Sequence, residues 1–473
     1  MKNRIMFINP PVDYSKYEWE NALGSRLPAL GLCSLAAYTR KNGFETRILD
    51  AYNRRLTREV VLEEITKFSP THIGITATTS YVFFAGQLAK FIKQHFPDIT
   101  AIIGGAHISA MPFETMQKFA DFDIGVIGEG EETIIELLSL SGSIATFDTV
   151  RGIIYRGKEG RLRKTDTRAY VENLDSLPYP AWDLLEGFPQ YYHPSPTNYK
   201  KLPVASLVAS RGCPYQCTFC DRSVFGSRYR SFSAYYIIEL IKDLKCKYGI
   251  QEVTFYDDTF TVNNDRLITI CEYFIKNKLG ISWSCLGRVD LINPTTLRMM
   301  KRAGCWMISY GIESASQDIL DFYKKKISLG QIENAVRITR SQGIRTRGFF
   351  MLGSPLETEE TIRKTEKLLR RIPLDDIHIS FFTPIPGSES FHCAERYGTR
   401  NKDWLEMDMY SLNFIPHGLD RQSLLKYRSL LYRNFYLKPR RILRYMGMLF
   451  DPQRMLEIIK KGMIFMRLIT KGA

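Results

Sequence analysis

The sequence predicts an α/β chain made of two successive βα units: a doubly wound, Rossmann-like parallel sheet, then a partial (β/α)6 barrel, with a basic helical C-terminal tail behind them. Three observations carry this prediction. Short apolar runs alternate with helical spacing over residues 1–145, the alternation resumes at Leu202 and repeats six times, and the net charge gathers in the last 53 residues.

In the first unit, strands are expected at Arg4–Asn9, Glu45–Leu49, His72–Thr76, Thr100–Ile103 and Asp123–Ile127. Between them Leu30–Lys41, Thr57–Phe68, Phe84–His95 and Glu132–Leu140 place apolar residues at helical spacing. Strict alternation gives a parallel sheet that binds ligands beyond the carboxyl ends of its strands. Those ends carry Asn9-Pro10-Pro11, Asp50-Ala51-Tyr52, Thr76 to Ser80, Gly104-Gly105-Ala106-His107 and Gly128-Glu129-Gly130-Glu131. Glycine and small hydroxyl residues there let backbone amides approach a large polar ligand.

Residues 146–200 read as a β-hairpin followed by an ordered, proline-rich linker through Leu177-Pro178-Tyr179-Pro180. The second unit, residues 201–420, has strands near Ala205–Ala209, Glu252–Tyr256, Ile281–Leu286, Cys305–Gly311, Arg345–Met351 and Asp376–Phe382. Six βα units fall two short of a closed barrel, with chemistry expected at the strands' carboxyl ends.

The 473 residues are 44% hydrophobic and 24% charged, which excludes a disordered, collagen-like or disulfide-stapled chain. Lys and Arg number 65 against 50 Asp and Glu, a formal charge of +15. Residues 421–473 hold 13 basic and two acidic residues, so the remainder is nearly balanced. No stretch reaches the roughly 18 apolar residues of a membrane span, and Pro10-Pro11 interrupts the apolar start before a signal-peptide core. A cytoplasmic protein is expected.

Nine cysteines include one cluster, Cys213-Pro214-Tyr215-Gln216-Cys217-Thr218-Phe219-Cys220, just after the first barrel strand. Thiolates at C-x3-C-x2-C can hold three irons of a 4Fe-4S cluster and leave the fourth open. Structural zinc would want a fourth ligand, usually from a second C-x2-C pair, and a disulfide within so tight a loop is strained. The scattered Cys33, Cys246, Cys271, Cys285, Cys305 and Cys393 read as small buried residues, with Cys285 and Cys305 on barrel strands.

With Phe219 before its last cysteine, this motif resembles the signature of the radical S-adenosylmethionine enzymes. Further strand-end segments extend the resemblance: Tyr256-Asp257-Asp258-Thr259-Phe260, Gly287-Arg288-Val289-Asp290, Gly311-Ile312-Glu313-Ser314, Gly348 to Glu357 and Thr383-Pro384-Ile385-Pro386-Gly387. The resemblance implies that Cys213, Cys217 and Cys220 hold the cluster. Phe219, Asp257, Asp258, Arg288, Glu313 and Gly353 would then bind S-adenosylmethionine, Asp257 on the amino-group side, Arg288 on the carboxylate, Glu313 on the ribose and Gly353 on the adenine.

A parallel-sheet domain in front of such a core resembles the cobalamin-binding domain of the subfamily that pairs both cofactors. Thr76, Thr78, Ser80, Gly104, Gly105, His107, Gly128, Glu129 and Gly130 would then surround the corrinoid's nucleotide tail. A generic nucleotide-binding or degenerate domain is the alternative. Many cobalamin domains carry D-x-H-x-x-G; here Asp50-Ala51-Tyr52-Asn53-Arg54-Arg55 puts Tyr52 at the histidine position, so no protein histidine is expected on cobalt.

The resemblance implies an oxygen-sensitive, cobalamin-dependent methyltransferase that acts on an unactivated carbon through a 5′-deoxyadenosyl radical and methylcobalamin. An oxidative cyclase like the anaerobic magnesium-protoporphyrin ester cyclase is the alternative, and a non-catalytic corrinoid or cluster sensor a third reading. A flavodoxin or ferredoxin would donate electrons to the cluster. In the tail, Lys438-Pro439-Arg440-Arg441 and Lys460-Lys461 interleave with Met455, Leu456, Ile458, Ile459, Met463, Phe465 and Met466. That pattern suits a helix on the anionic inner face of a membrane and would favour a lipid, isoprenoid or pigment substrate; a helix packed on the barrel is the plainer reading. Nucleic acid is not expected, since no RNA-binding module accompanies the tail.

Overall fold

A computed structural model describes residues 3–15, 25–140, 144–157, 159–439 and 441–443. The first unit contains β1 (Arg4–Asn9), α1 (Leu30–Lys41), β2 (Glu45–Asp50), α2 (Arg58–Phe68), β3 (His72–Thr76), α3 (Val82–His95), β4 (Thr100–Gly104), β5 (Ile124–Val126) and α4 (Glu131–Ser139). Strands β1 to β5 pair in parallel in the order β2-β1-β3-β4-β5. The order reverses between β1 and β3, the switch point at which open parallel sheets of this kind form their ligand crevice. Local chemistry sets the helix starts: the Thr57 hydroxyl accepts from the Val60 N–H, and Pro112 opens the short helix Pro112–Lys118.

The hairpin set apart in the sequence, β6 (Ile153–Arg156) and β7 (Leu162–Lys164), belongs to this sheet, for β6 pairs antiparallel with β5. The linker behind it is packed structure too. Leu174, Leu177, Trp182, Leu185 and Tyr192 are buried in one apolar cluster that runs from Ile5 and Phe7 of the first sheet to Ala205 and Leu207 of the second. Burial of this continuous seam holds the two units together.

The second unit begins at β8 (Val204–Leu207), followed by a short ribbon of β9 (Ser210–Arg211) and β10 (Arg230–Ser231), then α5 (Ala234–Tyr248). It continues through β11 (Glu252–Phe255), α6 (Asn264–Lys276), β12 (Ser282–Gly287), α7 (Pro294–Arg302), β13 (Cys305–Glu313), α8 (Leu329–Ser341), β14 (Arg345–Leu352), α9 (Glu359–Arg371) and β15 (Asp376–Phe381). All six main strands are parallel in the order β8-β11-β12-β13-β14-β15, the expected partial (β/α)6 barrel. Side chains of Ser233, Asn263, Asn293, Ser328 and Thr358 cap the five helices, Ser328 in a reciprocal capping box with Gln331.

Past the barrel, β16 (Gly398–Arg400) and β17 (Phe414–Pro416) form an antiparallel ribbon whose connecting segment returns to the first unit. Trp404 of that segment meets the ring of His107 at 4.4 Å and lies under the Lys118 ammonium at 4.7 Å. Next, α10 (Arg421–Tyr436) packs on the barrel's open edge. Leu424, Leu431 and Phe435 are buried, Arg428 donates to the Tyr410 carbonyl, and the Tyr432 hydroxyl accepts from Ile379 N at 2.8 Å. The first third of the predicted membrane-facing tail is therefore part of the barrel wall, because its apolar side covers β15. Lys460, Lys461 and the apolar residues from Met455 to Met466 lie outside the described residues.

Candidate active site

The cysteine loop hangs between β9 and β10. Only glycine fits at residue 212: its φ is +77°, and a Cβ would stand 2.3 Å from the Arg228 carbonyl oxygen. Cys217 is buried, while Cys213 and Cys220 are partly exposed. Burial raises the pKa of both Cys217 and Cys220, Cys220 to about 12, and each is raised further by the neighbouring thiols of the loop. The three thiols thus share one loop. Three thiolates suit a 4Fe-4S cube, which takes one per corner and leaves the fourth iron open, better than a structural zinc, which wants four ligands.

Positive charge flanks the loop. The Arg288 guanidinium lies 3.5 Å over the Tyr215 ring, between the first two cysteines. It is held there by Asp290 at 3.0 Å and by the Lys325 carbonyl at 2.8 Å. Arg288 therefore holds a planar cation, fixed on two sides, beside the first two cysteines. Glu313 pairs with Lys325 at 2.6 Å, and both are nearly buried. Glu313 has φ +66°, and Lys324 and Lys326 on either side of Lys325 are also left-handed. Strained backbone at three such residues marks a geometry that the surrounding packing enforces. The Lys325 ammonium is also 5.6 Å from the Phe219 ring centre. Sequence reasoning missed Lys325, since a run of three lysines reads as a solvated surface.

From Phe219 a chain of contacts leads across the barrel mouth. Its ring meets Tyr323 edge-on at 4.9 Å, and the Tyr323 hydroxyl bonds Ser354. Gly353, predicted on the adenine side, has its N–H committed to the buried Glu357 carboxylate, which also accepts from Ser354 N at 3.2 Å. Its role here is a left-handed turn, φ +81°, that shapes the loop after β14.

Asp257 requires a correction. It is fully buried, its oxygens accept from Ala209 N at 2.7 Å and from the Ser210 hydroxyl, and Arg266 lies 3.8 Å away. Burial lifts its pKa to about 6. No face of it is left for a cofactor; it locks β11 to the end of β8. Asp258 is exposed instead and close enough to raise the Cys220 pKa. Cys285 and Cys305 are buried thiols within hydrogen-bond reach of each other and close to Cys271 of α6, so they face the helix layer.

In the first unit, Thr78 and Ser80 lie on the loop after β3 with their hydroxyls 3.5 Å apart, and Thr76 ends the strand. Nothing crowds Gly104, whereas Gly105, at φ +107°, lets the loops after β3 and β4 touch: a Cβ there would be 2.8 Å from the Ala77 carbonyl oxygen. His107 does not line an open pocket. It is fully buried under Trp404, its Nδ1 lies 3.2 Å from the Thr79 hydroxyl, and burial lowers its pKa to about 4, leaving it neutral. Its Nε2 has no hydrogen-bond partner among the described residues.

Glu129 is also corrected: rather than facing a ligand it is nearly buried in an ion network with Arg211 and Arg230. Gly128 donates its N–H to the Ser109 hydroxyl, and Gly130 begins α4 against Leu35. Asp50 accepts from Asn53 N and Asn9 Nδ2, which makes it a turn cap. Tyr52 packs between Tyr14 and Tyr81, with ring centres 6.1 and 5.4 Å away, beside the crevice at β1 and β3.

Comparison with known proteins follows the same division. The family profile for the B12 binding domain matches residues 21–138 and that for the Radical SAM superfamily matches residues 207–369. The chain is 32% identical over 449 residues to an uncharacterized methyltransferase, PH0819, of Pyrococcus horikoshii, covering 93% of this chain and 94% of the relative. It is 28% identical to the anaerobic magnesium-protoporphyrin IX monomethyl ester cyclase of Rubrivivax gelatinosus, over 92% of this chain and 77% of that one. Among solved structures, the cobalamin-dependent S-adenosylmethionine radical enzyme OxsB, with aqua-cobalamin and S-adenosylmethionine bound, superposes with a TM-score of 0.75 at 17% identity, over 98% of this chain and 72% of OxsB.

Proposed function

The chain belongs to the radical S-adenosylmethionine enzymes that also bind cobalamin, and on that premise we propose that it is a C-methyltransferase acting on an unactivated carbon of a small molecule. Its cofactors are a 4Fe-4S cluster, S-adenosylmethionine and cobalamin. When bound, the cluster with S-adenosylmethionine supplies a radical able to take a hydrogen atom from carbon, and cobalamin carries the methyl group.

The observation that carries the proposal is the meeting of two loops. A Cβ on Gly128, in the loop after β5, would lie 3.8 Å from the Val224 carbonyl oxygen in the cysteine loop. Methylation of an unactivated carbon needs both cofactors to reach one substrate atom, and here the loops assigned to each are in contact. Cys213, Cys217 and Cys220 would hold three irons, leaving the fourth beside Arg288. Arg288 would fork onto the carboxylate of S-adenosylmethionine, Asp258 would lie near its amino group, and the Glu313–Lys325 pair would face the ribose. Thr76, Thr78, Ser80 and Gly104 would receive the cobalamin tail, with Tyr52 rather than an imidazole near cobalt. Reduced flavodoxin or ferredoxin would supply the electron.

The cyclase relative of comparable coverage supports a second reading, oxidative ring closure without methyl transfer. Product mass separates them. The purified holoenzyme, reduced anaerobically with S-adenosylmethionine, should yield both 5′-deoxyadenosine and S-adenosylhomocysteine. Metabolites of a strain with the gene should exceed their counterparts in a strain without it by one methylene. A loss of hydrogens or gain of oxygen would favour the cyclase, and absence of both nucleosides would overturn both readings.

α10 belongs to the barrel wall, and among the described residues no helix is long and apolar enough to cross a membrane. A lipid, isoprenoid or pigment substrate at the inner face of a membrane therefore rests on residues beyond 443 alone.

A further inference from the structure

Four charged side chains are buried where the two units meet. Arg211, on β9, donates to Glu129 at 3.1 Å and to Glu131; Arg230, directly opposite on β10, donates to Glu129 at 3.0 Å. Their side chains are between 3 and 8% exposed. Glu129 also accepts from Val171 N at 2.7 Å, and Arg230 donates to the Val171 carbonyl at 2.7 Å, so the linker is bound into the same knot. Phe225 and Tyr170 pack over the two guanidiniums at 5.4 and 4.6 Å.

Two carboxylates and two guanidiniums balance in charge. Burial of such groups contributes little net stability, because desolvation offsets the attraction; fixing a register is their best-attested use. β9 and β10 are the two stems of the cysteine loop, and Glu129 and Glu131 flank Gly130 at the start of α4. A one-residue slip of the ribbon would turn both arginines away from the carboxylates. The network thus fixes the loop at both stems to the loop after β5.

We propose that Glu129 and Glu131, through Arg211 and Arg230, are positioning residues that set the separation between the iron-sulfur cluster and cobalamin. This rests on the two-cofactor reading above. The carboxylates touch neither cofactor; they act through the stems of the loop that carries the cysteines.

The test uses full-length holoenzyme reconstituted anaerobically with iron, sulfide and hydroxocobalamin. Electron paramagnetic resonance reads the magnetic coupling between cob(II)alamin and the reduced cluster, and chromatography reads the ratio of 5′-deoxyadenosine to S-adenosylhomocysteine. In Glu131→Gln and Glu129→Gln, cluster absorbance and bound cobalamin should stay at wild-type levels, while the coupling broadens or is lost and the ratio rises. Glu131→Asp keeps the charge, shortens the reach by one methylene and serves if the amide variants fail to fold; it should show the same change to a smaller degree. Unchanged coupling and ratio, with only a lower melting temperature, would overturn the proposal and leave the network a brace. A wild-type enzyme that binds no cobalamin would overturn the two-cofactor reading itself, a separate outcome.

Discussion

Replacing Glu357 with glutamine should abolish a pH dependence of stability that its burial creates. The carboxyl is 2% exposed, accepts from two backbone N–H groups of the Gly353–Ser354 turn, and has its pKa raised by burial from an ordinary 4.5 to about 7. The folded chain therefore holds this proton more tightly than the unfolded chain does. Stability from this group is complete below about pH 4.5 and declines as pH rises through about 7. Over the full range the displacement is worth about 3 kcal/mol, and about 2.5 kcal/mol of it falls between pH 5 and pH 8. Glutamine keeps an acceptor for the turn but does not titrate, so any constant cost of its extra N–H groups cancels when the two pH values are compared. Urea unfolding of both chains, followed by circular dichroism at about pH 5 and pH 8, should show the variant gaining about 2.5 kcal/mol on the wild type at the higher pH. The same comparison removes the contribution of Asp257, which carries the same sign and is present in both chains. A stability difference equal at the two pH values would refute the reasoning and mean that Glu357 ionises normally in the fold.

Alanine at Cys213, Cys217 and Cys220 together should eliminate the cluster's visible absorbance and all 5′-deoxyadenosine formation while cobalamin stays bound; turnover that survives would remove the cluster from the chemistry. Tyr52→His should add nitrogen splitting to the cob(II)alamin resonance spectrum, absent from wild type, and identical spectra would show that Tyr52 does not face the metal. Lys325→Met leaves Glu313 buried without its partner, a loss of about 3–5 kcal/mol for broken buried pairs. Calorimetric titration should show weaker S-adenosylmethionine binding with cluster absorbance retained, and unchanged affinity would separate the pair from the cofactor.

The parallel strands were legible because strands covered on both faces read as uninterrupted apolar runs; Arg4–Asn9 and His72–Thr76 have the predicted bounds. Leu30–Lys41 was equally clear from its spacing. Long-range choices were not legible. Nothing local says that Ile153–Arg156 will join β5 or that Trp404 will return to cover His107, since both depend on partners distant in the chain. The cysteine loop and Arg288 announced themselves by residue type and strand-end position. Between Asp257 and Asp258 the sequence offers two adjacent carboxylates, and only backbone direction decides which is buried against Ala209 and which faces Cys220. Glu129 misled for a related reason: a glutamate between two glycines reads as an open ligand loop, whereas its arginine partners are supplied by the barrel.

The return of Trp404 to the first unit bears on biosynthesis. Chains are made from the amino terminus, so the sheet that carries Thr78, Gly104 and His107 is complete well before residues 398–416 leave the ribosome. During that interval the loops proposed to receive the corrinoid tail are bare; once β16 and β17 pair, Trp404 closes over His107 and its connecting segment packs on Thr79–Tyr81. If those loops receive the corrinoid tail, loading is expected to be easiest for a nascent or freshly released chain. Cells that import cobalamin during expression should yield a fuller enzyme than the same chain purified empty and supplied afterwards, and Trp404→Ala should narrow that gap.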